Sequence, residues 1–497
     1  MILNSEKFKH YFDRFSRNDE ETVIQYVDNR SAWAWMKDQM PYFECPDKEL
    51  EETYYFRWWV YRKHIKQTPK GFIITEFHPD VYWAGKYNSI NCAAGHHLNE
   101  GRWLKNREEF LTDYILFWLR KGGSPRSYST WLADAIWNYC SVVGDFSLAV
   151  ELLPDLAKNY AEWENSNLNG SGLFWSYDDR DAMEISISGS GLRPTLNSYL
   201  YADAIAIAKI AALAGKKDTE DKFSGKAAIL KKLVQERLWD EDAEFFKVIP
   251  LEHAKAPVPD WNFKTINPDH NVREQIGFIP WYFNLPDKGY EAAWKQLMDE
   301  EGFYAPFGPT TAERRHPSFM FHYGHECLWN GPSWPFATAQ TLTALANLLN
   351  NYEQSFAGKQ DYFDTLKTYA KCHYRTKSDG GKVSWIDENI DPFTGRWLSR
   401  DILENWDWKQ EKGGYERGKD YNHSTFCDLI ITGLMGLRVE DGKDITVNPL
   451  VPDGLWDYFC LDNVPVRGKI ITILYDRTGE KYGKGKGLHV FADGVEQ

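Results

Sequence analysis

Four polar clusters in the chain combine carboxylates, amides or cations with aromatic neighbours, and paired carboxylates are the tools of acid–base hydrolysis. Residues 178–193 hold Asp178, Asp179, Asp181 and Glu184 together with Arg180 and Arg193, and the close glycines Gly189 and Gly191 permit tight turns. Residues 385–397 place Asp387, Glu388 and Asp391 between Trp385 and Trp397, in a loop fixed by Pro392 and Gly395. A carboxyl group beside two indoles is partly desolvated, which raises its pKa and suits it to proton transfer. Residues 328–335 supply Trp329, Asn330 and Trp334 just before a helix that Ser333 can cap. Residues 415–426 put Glu416, Arg417, Asp420, Asn422 and His423 at another helix start. Each cluster alone reads equally well as a solvated turn or a polar helix cap. Four of them on loops that lead into helices point to one shared site.

Hydrolysis of a glycosidic bond without a cofactor needs one carboxylic acid to protonate the leaving oxygen. It needs a second carboxyl group as nucleophile or as base for water. The chain offers candidates for both roles, and no cofactor is expected. His316, His322, His325 and Cys327 lie close in sequence, but their spacing is irregular for a metal site and no metal is expected. His96-His97 lacks the i, i+4 spacing of a helical ligand pair and reads as a hydrogen-bonding element of the pocket. Phosphate-loop, dinucleotide, serine-elbow and kinase signatures are missing from the sequence.

These residues need a scaffold. Of 497 residues, 22 are Trp, 28 Tyr and 28 Phe, enough to provide platforms for the apolar faces of sugars as well as to fill a large core. The net charge of −14 argues against nucleic acid as a partner. Seven cysteines, odd in number and scattered, read as buried thiols rather than a disulfide framework. No run is long and apolar enough to span a bilayer, and the first residues carry no apolar leader core. The expected location is cytoplasmic, or periplasmic or secreted if a leader has been trimmed.

Apolar periodicity predicts helices over 103–120, 127–143, 146–162, 195–214 and 218–238, and again over 273–284, 289–299, 335–350, 357–373 and 422–436. A helix over Asp19–Met40, an aromatic-faced helix in 51–67 and a long irregular stretch from Thr75 to Gly101 precede them. Short turns make antiparallel neighbours. About a dozen helices in hairpins suit a mainly α fold, a closed double ring of inner and outer helices. After Leu437 short β-branched runs (445–447, 458–461, 469–475, 488–491) predict a small antiparallel sheet. The expected division is a lead-in over 1–50, a barrel over 51–437 and a β subdomain over 438–497.

The clusters also carry a family resemblance. Ala182-Met183-Glu184 resembles the Gly-x-Asp element of the (α/α)6-barrel glycosidases, the group of trehalases and family 63 processing α-glucosidases and mannosylglycerate hydrolases. It lies upstream of Leu196-Asn197-Ser198-Tyr199, which is similar to that group's helix start. Trp329-Asn330-Gly331-Pro332 resembles its Trp-Arg-Gly-Pro, and Glu388-Asn389-Ile390-Asp391-Pro392-Phe393-Thr394-Gly395 its Glu-Asn-Tyr-Asn-Pro-x-Thr-Gly. The resemblance implies a six-hairpin toroid and inverting hydrolysis, with Glu184 as acid and Glu388 as base. Asp181 competes for the acid role, and Glu404, in a segment similar to the trehalase Glu-Lys-Tyr-Asp, competes for the base.

The reading is therefore an exo-acting glycoside hydrolase for an α-linked sugar or small oligosaccharide. Trp83, Trp329, Trp334 and Trp385 are expected to shape the pocket, and His97, Arg193, Asn330, Asn422 and His423 to bind substrate. In an inverting enzyme the two carboxyl groups sit roughly 6.5–9.5 Å apart. The alternatives are a polysaccharide lyase or epimerase working through His97 or His423, and a sugar-binding protein without turnover.

Overall fold

The computed structural model describes residues 2–251, 270–321, 325–377, 379–405, 410–439 and 444–497. The first helices are α1 (Lys9–Asn18) and α2 (Ala32–Met36). Residues 19–31 between them are irregular, where the sequence predicted one helix over Asp19–Met40. Polar side chains hold that segment in turns: Asn29 Nδ2 donates to Asp19 at 2.8 Å and the Ser31 amide to Asp28 at 2.7 Å.

Among the described residues six pairs of helical segments follow. They are α3 (Lys48–Lys63) with α4 (Ala94–Gly101), α5 (Arg107–Arg120) with α6 (Leu132–Val143), and α7 (Ser147–Asn167) with α8 (Pro194–Leu213). Then come α9 (Lys217–Arg237) with α10 (Ile279–Tyr282), a 3-10 segment Glu291–Gln296 with α11 (Pro335–Asn351), and α12 (Lys359–Lys371) with a π-helical turn, Leu429–Leu434. The second members carry the most apolar sequences and are buried on nearly every side, as α8 and α11 illustrate. Pro194 and Pro335 open these two helices at the position where a missing N–H costs nothing.

The second members contact one another in chain order: α4 with α6, α6 with α8, α8 with α10, α10 with α11, and α11 with Leu429–Leu434. The last returns to the first through Glu100. Its carboxylate accepts the backbone N–H groups of Phe426 (3.1 Å), Cys427 (2.9 Å) and Asp428 (2.8 Å). These are the free donors of a helix start, which an anion satisfies best. The irregular stretch expected over Thr75–Gly101 accordingly ends at Ala93. Ala94, Leu98 and Gly101 are buried, and Gly95 lies so close to the Trp131 ring that a Cβ would stand 2.3 Å from it.

The C-terminal sheet has five antiparallel strands in the order Tyr42–Glu44, Tyr458–Val466, Lys469–Asp476, Gly487–Ala492 and Val495–Glu496. Its first strand comes from residues 1–50, so the lead-in shares a sheet with the tail. Arg467 ties the sheet to the helices by donating its amide to the carbonyl of Val142 at 2.8 Å. Among the described residues no helix is long and apolar enough to cross a membrane.

Candidate active site

The loops leading into α8, α11 and Leu429–Leu434 carry three of the sequence clusters. In the first, Asp181 is an anchor. Its carboxylate receives Arg193 Nε at 2.6 Å, Ser129 Oγ at 2.5 Å and the Thr195 hydroxyl. Arg193, expected to bind substrate, is fully buried and instead spends its remaining donors on Ser186, the Gly189 carbonyl and the Met183 sulfur. On this pedestal Glu184 is bracketed by two residues in the left-handed region, Ala182 (φ 58°) and Ile185 (φ 63°). A β-branched residue there is a true outlier, and such outliers concentrate at functional sites.

Glu184 is half-buried. Its carbonyl accepts the Trp329 amide at 3.1 Å, and its Oε2 accepts the Cys327 thiol at 3.0 Å. Burial pushes its carboxyl up to about 7; the thiol opposes this, and Asp178 and Asp179 reinforce it.

Glu388 is buried and within electrostatic reach of the same thiol. Arg417 reaches it with Nε at 2.9 Å and a second nitrogen at 3.2 Å, and gives its other nitrogen to Glu326 at 2.6 Å. The guanidinium lies over Trp83, 4.6 Å from the ring centre. Burial pushes Glu388 up to about 8 against the pull of Arg417. Neighbouring Asp387 holds the loop in place through Arg400 Nε (2.8 Å), Ser399 Oγ (3.0 Å) and Trp385 Nε1 (3.3 Å). Gly418 is required here: it has φ +75°, and a Cβ would stand 2.2 Å from the Asp387 carboxylate. Burial holds the Cys327 thiol protonated, with Glu184 and Glu388 the next contributors, so both carboxyl groups act on one sulfur.

A third carboxyl group, Glu76, belongs to the polar irregular stretch that begins at Thr75 and has no site role from sequence alone. It is buried, accepts the Tyr421 hydroxyl and the Cys92 thiol (3.3 Å), and is pushed by burial up to about 7. The Tyr421 ring rests on His423, 3.6 Å between centres. Burial depresses His423 well below the ordinary imidazole range, so it is neutral. His97 is occupied on both nitrogens, bonding the Tyr114 hydroxyl at 2.8 Å and donating to the Asn422 carbonyl at 2.6 Å. Asn422 in turn donates Nδ2 to the Thr75 carbonyl at 3.2 Å.

The indoles divide into two groups. Trp83 and Trp385 are half-buried. Trp329 and Trp334 are buried and stack on each other, 4.5 Å between centres, with Trp334 Nε1 bonded to the Leu328 carbonyl at 2.6 Å. Asn330 is buried, and its carbonyl accepts the Met320 amide at 2.7 Å. Glu404 is exposed on α13 (Leu398–Asn405) and paired with Arg375, whose guanidinium stands 5.0 Å from the Trp385 ring centre. Trp406 and Asp407, which carried its resemblance, lie outside the described residues, as does His322.

The family model of mannosylglycerate hydrolase MGH1-like glycoside hydrolase domains matches residues 86–424. A solved protein named sialidase is 42% identical over 99% of this chain with a TM-score of 0.90, and this chain spans 44% of that protein's length. The GH63 mannosylglycerate hydrolase of Thermus thermophilus, solved with glucose, superposes with a TM-score of 0.52 at 12% identity, over 76% of this chain and 98% of that one. The GH78 rhamnosidase of Bacillus sp. GL1 gives 0.54 at 13% identity, over 88% of this chain and 40% of that one. The last two similarities are of fold alone.

Proposed function

Because the chain belongs to the family of mannosylglycerate hydrolase MGH1-like glycoside hydrolase domains, we propose that it is a glycoside hydrolase that inverts the anomeric centre of a terminal α-linked sugar, with Glu184 as general acid and Glu388 as general base. The observation that carries this is the pair of carboxyl groups on helix-leading loops, Glu184 held by the Cys327 thiol at 3.0 Å and Glu388 by Arg417 at 2.9 Å, each pushed by burial toward neutrality. Burial raises Glu388 at least as far as Glu184, even with Arg417 pulling it down. The roles are assigned on contacts instead: the guanidinium on Glu388 at 2.9 and 3.2 Å is the partner that an ionised base needs, whereas Glu184 meets an uncharged thiol at 3.0 Å.

In these roles Glu184 gives its proton to the leaving glycosidic oxygen while Glu388 takes a proton from the attacking water. The proton count closes, and the product appears with inverted configuration. Asp181 is a poor acid because an arginine and two hydroxyls occupy its oxygens. Glu404 is a poor base because it is exposed and paired with Arg375. Trp83 and Trp385 are the platforms best placed to hold a sugar ring. The contacts between successive second helices, with Glu100 joining the last to the first, support a six-hairpin (α/α)6 toroid over 51–437 whose site gathers on the helix-leading loops. In this reading 1–50 and 438–497 form its flanking subdomain.

The test incubates wild type, Glu184→Gln and Glu388→Gln with neutral α-glycosides, natural oligosaccharides and, given the relative's name, sialosides. Released sugar and its anomer are followed by NMR. Inverted product lost in both variants supports the assignment. A retained anomer refutes inversion. A mild Glu388→Gln effect together with a dead His423→Ala variant favours a lyase or epimerase, and binding without turnover favours a sugar-binding protein.

A further inference from the structure

We infer that Cys327 is a positioning residue for the acid, its thiol serving as the donor that orients Glu184 and limits how strongly that carboxyl holds its proton. The inference rests on the reading of Glu184 as general acid. Of the seven cysteines, six are buried; Cys327 alone is half-buried, on the loop that also supplies Trp329. Its Sγ lies 3.0 Å from Glu184 Oε2. The same loop grips Glu184 a second time, Trp329 N to Glu184 O at 3.1 Å, so the thiol is aimed at the carboxylate by a backbone already fixed to it.

The hydrogen bond runs from the thiol to the carboxylate. Burial and the carboxylates Glu184 and Glu388 keep the sulfur protonated despite Arg417, so it donates rather than accepts. A donor on a carboxylate favours the ionised form and lowers its pKa. Asp178 and Asp179 from its own loop push the opposite way, and after the thiol the next group that lowers it is a backbone hydrogen bond. The thiol is thus the counterweight that keeps a desolvated acid able to release its proton during each turnover. A thiol is also a weaker donor than a hydroxyl, which leaves the acid's pKa high enough to be loaded at neutral pH.

The experiment compares Cys327→Ala and Cys327→Ser with wild type by the pH dependence of kcat/KM, on a natural oligosaccharide and on an activated aryl glycoside whose leaving group needs no acid. With Ala the alkaline limb, where Glu184 loses its proton, moves up by ~0.5–1 pH unit. Activity on the natural substrate falls roughly tenfold while the activated substrate is nearly spared. Ser restores the limb to the wild-type position or below. An unmoved limb in both variants, or equal losses on both substrates, overturns the inference. Glu184→Gln separates the two failures. If it keeps full activity and its alkaline limb, Glu184 is not the acid and both readings fall. If it is inactive on the natural substrate while the Cys327 variants leave the limb unmoved, only the role of Cys327 falls.

Discussion

Replacing Glu184 by Gln tests whether the fold holds this side chain at the expense of its own stability. Burial raises the carboxyl from its ordinary 4.5 to about 7, and its strongest neighbours are a thiol and two carboxylates. A folded-state pKa above the unfolded one means that the unfolded chain ionises first. Stability is therefore full below about 4.5 and is lost as pH rises through about 7. At about 1.4 kcal/mol per pH unit, holding Glu184 ionised in the folded chain costs roughly 3 kcal/mol. Water reaching a half-buried side chain trims that to about 1.5–3 kcal/mol. Gln keeps the shape and still accepts from Cys327, but it never ionises. Because unfolding 497 residues carries an entropy of about 1 kcal/mol per degree, the variant should melt ~1.5–3 °C above wild type near pH 9. Near pH 5, where the unfolded carboxyl is already mostly ionised, the gain should be about 0.7–0.8 °C. Differential scanning calorimetry at the two pH values reads this directly. Equal melting at both, or a variant less stable at the higher pH, would refute burial as the dominant influence on Glu184.

Two further substitutions probe the rest of the group. Arg417→Met leaves Glu326 and Glu388 buried without their cation. Stability should drop by about 3–5 kcal/mol, and the acidic limb of kcat/KM should rise by a pH unit or more as the base becomes harder to ionise; an unmoved limb would separate Arg417 from Glu388. Glu404→Gln removes an exposed pair worth under about 1 kcal/mol and should leave kcat within about twofold. A hundredfold loss measured on the same substrate would transfer the base role to Glu404.

The helical scaffold was legible because its signals are local. Pro194 before a largely apolar run, Gly144 after α6 and the short β-branched runs after Leu437 each announce an element within a few residues. The strand Tyr42–Glu44 was not legible, since it depends on Asp462, Leu461 and Cys460, more than 400 positions away, and the tract at 19–31 is held in turns by its own polar side chains, which an apolar pattern does not register. The site divides in the same way. Glu184 and Glu388 stood out because each sits in a compact motif of its own. Glu76 did not, because its meaning comes from Tyr421, 345 residues on. Glu326 takes its meaning from Arg417, 91 residues on. The Trp329–Trp334 pair misled in the opposite sense: two indoles five residues apart look like a sugar platform, yet they bury each other's faces.

Asp181 carries the most instructive difference between motif and structure. Three residues before Glu184, it has the right chemistry for an acid, and sequence alone leaves the two in competition. The structure gives it different work. Holding Ala182 and Ile185 at positive φ costs on the order of 1–2 kcal/mol each, and a loop left to itself would relax and carry Glu184 away from the Cys327 sulfur. What prevents this is the buried Asp181–Arg193 pair, with Ser129 and Thr195 completing its hydrogen bonds and Arg193 reaching on to the Gly189 carbonyl. A buried pair is a weak source of net stability, but losing one partner is costly, so it enforces one conformation against its alternatives. In the proposed reading Glu184 keeps its position because the Asp181 carboxylate is committed to Arg193, Ser129 and Thr195.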